Sequence, residues 1–227
     1  MENKKHNLLI IDDHPLIIEA YKTAFTYYSK ENETTFFSIK TSQDCDSAIE
    51  LITQFSEQNK SMDIVFLDIR LPPSKDGKFL SGEDLGIKIR AVFPKAKIII
   101  ATTFNNNYRI HNIFRNLNPD GFLIKNDITT KELLNAIDVI LNDPPYYSKT
   151  VIKLLRKQVS NDLLLDKIDR KILYELSIGT RMKDLPNVLP LSIAGIEKRK
   201  RHLKQVFATE GLDDKELLLA ARKQGFI

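Results

Sequence analysis

The chain has 227 residues, 42% of them hydrophobic, and a formal net charge of +4. That length allows one large domain or two modest ones with a real core, and no apolar run comes near the roughly 18 residues a membrane span needs. Cys45 is the single cysteine, which excludes an internal disulfide and argues against a zinc site.

The N-terminus is polar and has no signal-peptide core, so the expected location is cytoplasmic. His6, His14, His111 and His202 show no ligand spacing. Charge is unevenly placed. Residues 1–145 hold 17 Lys+Arg and 20 Asp+Glu, a net of −3; residues 146–227 hold the other 17 of 34 and 10 of 30, a net of +7. Two domains with different partners are expected, and the basic half suits nucleic acid.

Leu8 to Ile11 read as a short strand buried on both faces, ending in Asp12-Asp13-His14-Pro15. Pro15 suits the first turn of a helix whose apolar face is read as Leu16, Ile17, Ala20, Ala24 and Phe25. Residues 34–41 are β-rich. Ser42 or Asp44 caps the next helix, which carries Ala48, Ile49, Leu51, Ile52 and Phe55. Residues 63–68 form a third buried strand ending at Asp68, which Pro72-Pro73 forbid from continuing. After a Gly/Ser/Lys-rich loop come a helix from about Gly82 to Phe93, a strand over 97–102, a helix near 106–116, a strand over 120–125 and a helix over 129–141. Five strands alternating with five helices predict a doubly wound, flavodoxin-like parallel sheet.

Asn142 to Tyr147, with Pro144-Pro145, breaks the pattern. The expected division is 1–142, a linker or linker helix over 143–161, and 162–227. Beyond about 148 only helices are read: 149–158, 166–177, a short piece near 183–188, 192–207 and 213–224.

In a parallel sheet the strand ends Asp12-Asp13, Asp68, Thr102 and Lys125 share one edge, where ligands bind. Three converging carboxylates repel one another and favour a hard divalent cation, above all Mg²⁺. A lysine and a threonine hydroxyl beside a carboxylate suit phosphoryl transfer, giving an acyl phosphate on Asp68.

These residues, in this order and strand context, resemble the receiver domain of two-component response regulators over 8 to about 142. The resemblance implies that Asp68 accepts phosphate from a histidine kinase, that Asp12 and Asp13 hold Mg²⁺ with Asp68, and that the backbone carbonyl of Ile69 or Arg70 assists. It places Thr102 and Lys125 on the phosphoryl group, with Thr103 a rival for Thr102, and Phe122 at the aromatic switch position. No independent substrate turnover is expected. The loop after Pro73 is about six residues longer than the family pattern.

The C-terminal unit shows Gly179, a short helix, a turn at Pro190-Leu191, and Ser192 capping a basic helix. Lys198, Arg199, Lys200, Arg201 and Lys204 lie on that helix, and Ile196, Leu203, Val206 and Phe207 form its buried face. A helix of this kind suits the major groove. The order of features resembles the helix-turn-helix domain of LuxR/NarL-type regulators, which implies binding to double-stranded DNA and a homodimer formed on phosphorylation. Three residues depart from the pattern: Pro186 inside the short helix, Gly195, and Glu197 in place of a frequent lysine. Pro186 and Glu197 leave open a second reading, a phosphorelay adaptor whose helical unit binds protein.

Overall fold

The computed structural model describes residues 4–103, 107–156 and 165–227. These fall into two compact units, 4–103 with 113–156 and 107–112 with 165–227. Residues 104–106, with the expected start of the helix near 106–116, and residues 157–164, with the expected domain start at 162, lie outside the described residues.

In the first unit, strands β1 (Lys4–Ile11), β2 (Thr35–Ser42), β3 (Ile64–Leu67), β4 (Lys97–Thr102), β5 (Gly121–Ile124) and β6 (Tyr146–Tyr147) form one sheet. Its order is β2-β1-β3-β4-β5-β6, with every pairing parallel. The four residues of β3 and of β5 are all buried, as strands covered on both faces should be. Helices α1 (Pro15–Glu31), α2 (Cys45–Glu57), α3 (Gly82–Val92), residues 113–117 of α4 (Asn107–Leu117), and α5 (Thr130–Asn142) provide the connections.

Local chemistry sets the helix ends. Asp44, not Ser42, caps α2, accepting from the Ser47 N–H. Ser81 caps α3. Thr129 and Glu132 close a reciprocal capping box on α5. Beneath α1, Phe25 meets Phe66 edge-on at 5.3 Å, and Tyr21 lies 5.1 Å from the same ring. Burying rings of this size contributes about 2–3 kcal/mol each.

Two expectations are corrected. The sheet has six strands, not five: Tyr146 pairs with Gly121 and Tyr147 with Phe122. The segment is further tied down by Asp127, which accepts from the Ser148 and Thr150 hydroxyls, ahead of helix α6 (Lys149–Arg156). A two-residue strand has no period to read, and Pro144-Pro145 looks only like a breaker. The second correction is the face of α1. Ile18, Tyr21, Ala24, Phe25 and Tyr28 are buried, whereas Leu16 is 85% exposed.

The second unit packs α7 (Lys167–Ser177), α8 (Ile193–Val206) and α9 (Asp214–Lys223) around Leu173, Leu185, Ile196, Leu203 and Leu217. The short piece before α8 is a 3₁₀ turn over Met182–Asn187 containing Pro186. The proline's missing N–H and its ring keep that piece from becoming an α-helix. Ser192 caps α8 through the Gly195 N–H. No helix among the described residues is long and apolar enough to cross a membrane.

Candidate functional site

The site follows from the register of β1 and β3, the neighbours at which the strand order reverses direction. Ile11 pairs with Leu67, so Asp12 and Asp68 emerge side by side one residue later, joined by the Asp68 N–H donating to the Ile11 carbonyl at 2.9 Å. Alternation carries the same face outward. Leu8 and Ile10, Ile64 and Phe66, and Leu123 line the core under α1 and α5, and Asp12, Asp68 and Lys125 continue those rows. Ligands of open α/β sheets bind at such a switch point.

Both carboxylates are buried, Asp12 to 1% exposure and Asp68 to 3%. The Lys125 ammonium lies 2.6 Å from Asp12 Oδ2 and 2.6 Å from Asp68 Oδ2. It donates a hydrogen bond to Asp68. Among the described residues Asp12 Oδ2 has no hydrogen-bond partner and makes the ion pair with Lys125. Burial is the largest influence on Asp12 and lifts its carboxyl above the ordinary aspartate value. The Lys125 contact offsets this in part, and the Asp68 charge adds to it. Burial works against the Lys125 ammonium, but the charge of Asp68 and the close contacts with both acids outweigh it and hold its pKa above the usual lysine value. One lysine therefore offsets two buried acids, with negative charge to spare.

That excess fits a divalent cation. Asp12, Asp13, His14 and Asp68 offer ligand atoms all within 4.8 Å of one another. His14 had no ligand spacing in the sequence. Its Nδ1 lies 2.6 Å from Asp13 Oδ1 and 3.4 Å from Asp12 Oδ1, because the turn into α1 folds it back over the acids. The signal available was adjacency to Asp12-Asp13, not a spacing between histidines.

The two threonines separate. The alternation that sends Ile99 and Ala101 to the α1/α5 core sends Thr102 to the opposite face, where it is fully buried. Thr103 follows on the Asp68 side, exposed, and its hydroxyl accepts from the Arg70 guanidinium at 3.3 Å. The Arg70 N–H donates to Asp68 Oδ1 at 3.0 Å. Phe122 is fully buried and stacks on Phe114 at 5.3 Å, which meets Tyr147 edge-on.

The long loop after Pro73 closes on itself. The Ser74 N–H donates to the Phe79 carbonyl at 2.8 Å and the Gly77 N–H to the Ser74 carbonyl at 2.9 Å. The Ser74 hydroxyl donates to Asp76 at 2.7 Å. With the Lys78 N–H and ammonium, it holds the Asp76 carboxyl down to about 2. The loop then delivers Gly82 against the acceptor strand. A Cβ at Gly82 would lie 1.9 Å from the Asp68 carbonyl oxygen.

In the second unit the five expected DNA-binding cations do not act alike. Arg199 bonds Asp166 at 2.7 Å and Asp169 at 2.8 Å. Lys200 and Lys204 both grip Asp214, at 2.8 and 2.9 Å. Lys204 also donates to the Leu212 carbonyl. Lys198 and Arg201 are exposed.

A parallel sheet with an acid pair, an acceptor aspartate and a lysine at one edge is the arrangement of a phosphoryl-accepting signalling domain. The chain belongs to the response regulator receiver domain family, whose model matches residues 8–138. Receiver domains bind Mg²⁺ at an acidic pocket such as that of Asp12, Asp13 and Asp68. Similarity extends past the receiver. The oxygen regulatory protein NreC of Staphylococcus aureus is 24% identical over 208 residues, covering 86% of this chain and 88% of that protein. Among solved structures, RcsB from Salmonella enterica serovar Typhimurium bound to the rprA promoter with a phosphomimetic is 20% identical with a TM-score of 0.65, over 96% of this chain and 98% of that one. A structure of two RcsB dimers bound to two parallel DNAs has 20% identity and a TM-score of 0.59, over 98% and 100%.

Proposed function

We propose that this response regulator is a phosphorylation-controlled, DNA-binding transcription regulator. The observation that carries the reading is Lys125 held 2.6 Å from both Asp12 and Asp68 at the switch point of the sheet. An Asp68 oxygen attacks the phosphorus of a phosphohistidine on a histidine kinase. The O–P bond forms as the N–P bond breaks, and the imidazole leaves. Lys125 transfers its hydrogen bond from Asp68 to a phosphoryl oxygen as negative charge arrives. Thr103, on the Asp68 side of β4, is the hydroxyl assigned to the phosphoryl group in place of Thr102. Asp12, Asp13 and Asp68, with the Arg70 backbone carbonyl, would hold Mg²⁺, which supplies charge neutralisation of the phosphoryl oxygens. The protein carries out no independent substrate turnover.

The output is the second unit read as a helix-turn-helix, with Met182–Asn187 as the scaffold piece and α8 as the recognition helix. Lys198 and Arg201 supply its free positive charge. Arg199, Lys200 and Lys204 stabilise the unit from within instead of contacting phosphates. NreC is named for oxygen regulation and RcsB is seen as dimers on DNA, which favours DNA over protein as the target and a homodimer as the bound form. The test is incubation with Mg²⁺ and a small acyl phosphate, followed by intact mass. A phosphate-sized gain is expected in the wild type and not in Asp68→Asn. No gain in the wild type, with either the acyl phosphate or a phosphorylated kinase, refutes the reading.

A further inference from the structure

Helix α8 sorts its side chains into two sets. Ile196, Leu203 and Val206 are buried, and Arg199, Lys200 and Lys204 are engaged by acids of the same unit. Beyond Ile193, exposed at the first position of the helix, what remains exposed is Ala194, Glu197, Lys198, Arg201, His202 and Gln205. Those positions fall at i, i+3, i+4, i+7, i+8 and i+11, a single stripe along the helix. Lys198 and Arg201 seek phosphate or guanine. Glu197 does neither, yet it stands beside Lys198 and one turn before Arg201, near the N-terminal end of the stripe. No side-chain hydrogen bond or ion pair among the described residues involves it.

With this stripe in a major groove, as the proposed function requires, the Glu197 carboxylate loses water beside a polyanion. That is unfavourable unless a donor replaces the water. The groove offers two kinds of amino donor, on cytosine and on adenine. Adenine places its N7 acceptor next to the amine, opposing the second carboxylate oxygen. Cytosine presents its N4 amine without a neighbouring acceptor of its own, so it suits a group that only accepts. One helical turn is about 5.4 Å against about 3.4 Å per base step, which puts Arg201 within one or two steps of the same base.

We propose that Glu197 is the specificity-determining residue of α8, accepting from the N4 amine of a cytosine while Arg201 reads a guanine one or two base pairs away. The inference rests on the DNA-binding reading and deepens it. Glu197 thus raises discrimination at the expense of general affinity.

The test is selection from a random double-stranded DNA library by the full-length protein phosphorylated with a small acyl phosphate. The wild type enriches cytosine about tenfold at one fixed position of each half-site, with guanine one or two steps away. Glu197→Gln moves that position toward adenine, which a carboxamide bonds in bidentate fashion. Glu197→Ala flattens that position alone and binds unselected DNA more tightly. Unchanged preferences in Glu197→Ala overturn the proposal while leaving DNA binding intact. A wild type that retains no DNA at low salt overturns the DNA-binding reading and this inference with it. Lys198→Ala separates general from base-specific contact: it weakens all sequences and lowers the salt slope by about 1, whereas Arg201→Ala flattens the guanine position, and an unchanged guanine preference in Arg201→Ala overturns its part of the proposal.

Discussion

Replacing Gly82 by alanine tests how the acceptor strand is held. The added methyl carbon would sit 1.9 Å from the Asp68 carbonyl oxygen, 2.9 Å from its carbon and 3.0 Å from the Ile69 Cα. A comfortable carbon–oxygen approach is about 3.3 Å, so roughly 1.4 Å must be found between two stretches of backbone, and no rotamer can supply it. If α3 retreats, the Gly82 N–H loses the Ile69 carbonyl, now at 3.1 Å, and the Ser81 cap on Glu83 opens. If β3 retreats, Asp68 leaves Lys125. A hydrogen bond and a cap are each worth about 1 kcal/mol, and overpacking typically adds about 1–3 kcal/mol, so the expected loss is at least about 3 kcal/mol. Hydrogen exchange of the slowest amides in β3 and α3 should accelerate about a hundredfold, with slower phosphate uptake on Asp68. Gly77→Ala is the control. Its φ of +65° is strained for alanine, but nothing lies within 4 Å of the added carbon. It should cost about 1 kcal/mol and leave phosphate uptake unchanged. Exchange within about threefold of wild type in Gly82→Ala, with normal phosphate uptake, would refute the reasoning.

Asp12→Asn should stabilise the receiver by about 1 kcal/mol near neutral pH and weaken divalent-ion binding. The folded pKa of Asp12 is raised, so the wild-type penalty exists above that pKa and disappears as pH falls through it; urea melts across acid pH check that the gain fades. His14→Ala should lower Mg²⁺ affinity about tenfold by releasing Asp13, read by calorimetric titration; unchanged affinity would remove His14 from the site. In the second unit, Lys200 and Lys204 outweigh burial and hold Asp214 below the usual carboxylate range. Its stabilisation is full above the ordinary value of 3.8 and is lost as pH falls through the lowered one. Melts of wild type and Asp214→Asn should therefore converge as pH falls below 3.8 and through the lowered value.

The alternation of short apolar runs and capped helices made the receiver sheet readable, and with it the acids and lysine at its edge, because parallel strands place their ends together whatever the loops do. What escaped has physical causes. Tyr21 and Tyr28 do not mark the buried face of α1 in an apolar pattern, because a phenol carries a polar hydroxyl although its ring packs like phenylalanine. Leu16 instead lines a groove of about 720 Å³ between α1 and α5, with Tyr27 and Leu134. Which of Thr102 and Thr103 faces Asp68 was open to the rule of alternation, since Ile99 and Ala101 fix the side of β4 that does so. The division of labour among the α8 cations was not readable, because Asp166, Asp169 and Asp214 reach them only once the helices have packed.

The turn from Ser74 to Phe79 separates the length of its loop from the geometry of the reaction. Its ends are clasped by their own hydrogen bonds, so residues 75–78 form an appendage whose size does not set where Gly82 arrives. Loop-closure entropy grows only slowly with length, and here the added residues do not enter the span that holds the acceptor strand. The chain can thus vary or enlarge this tip beside the phosphoryl site, as a handle for recognition, without retuning the acids that do the chemistry.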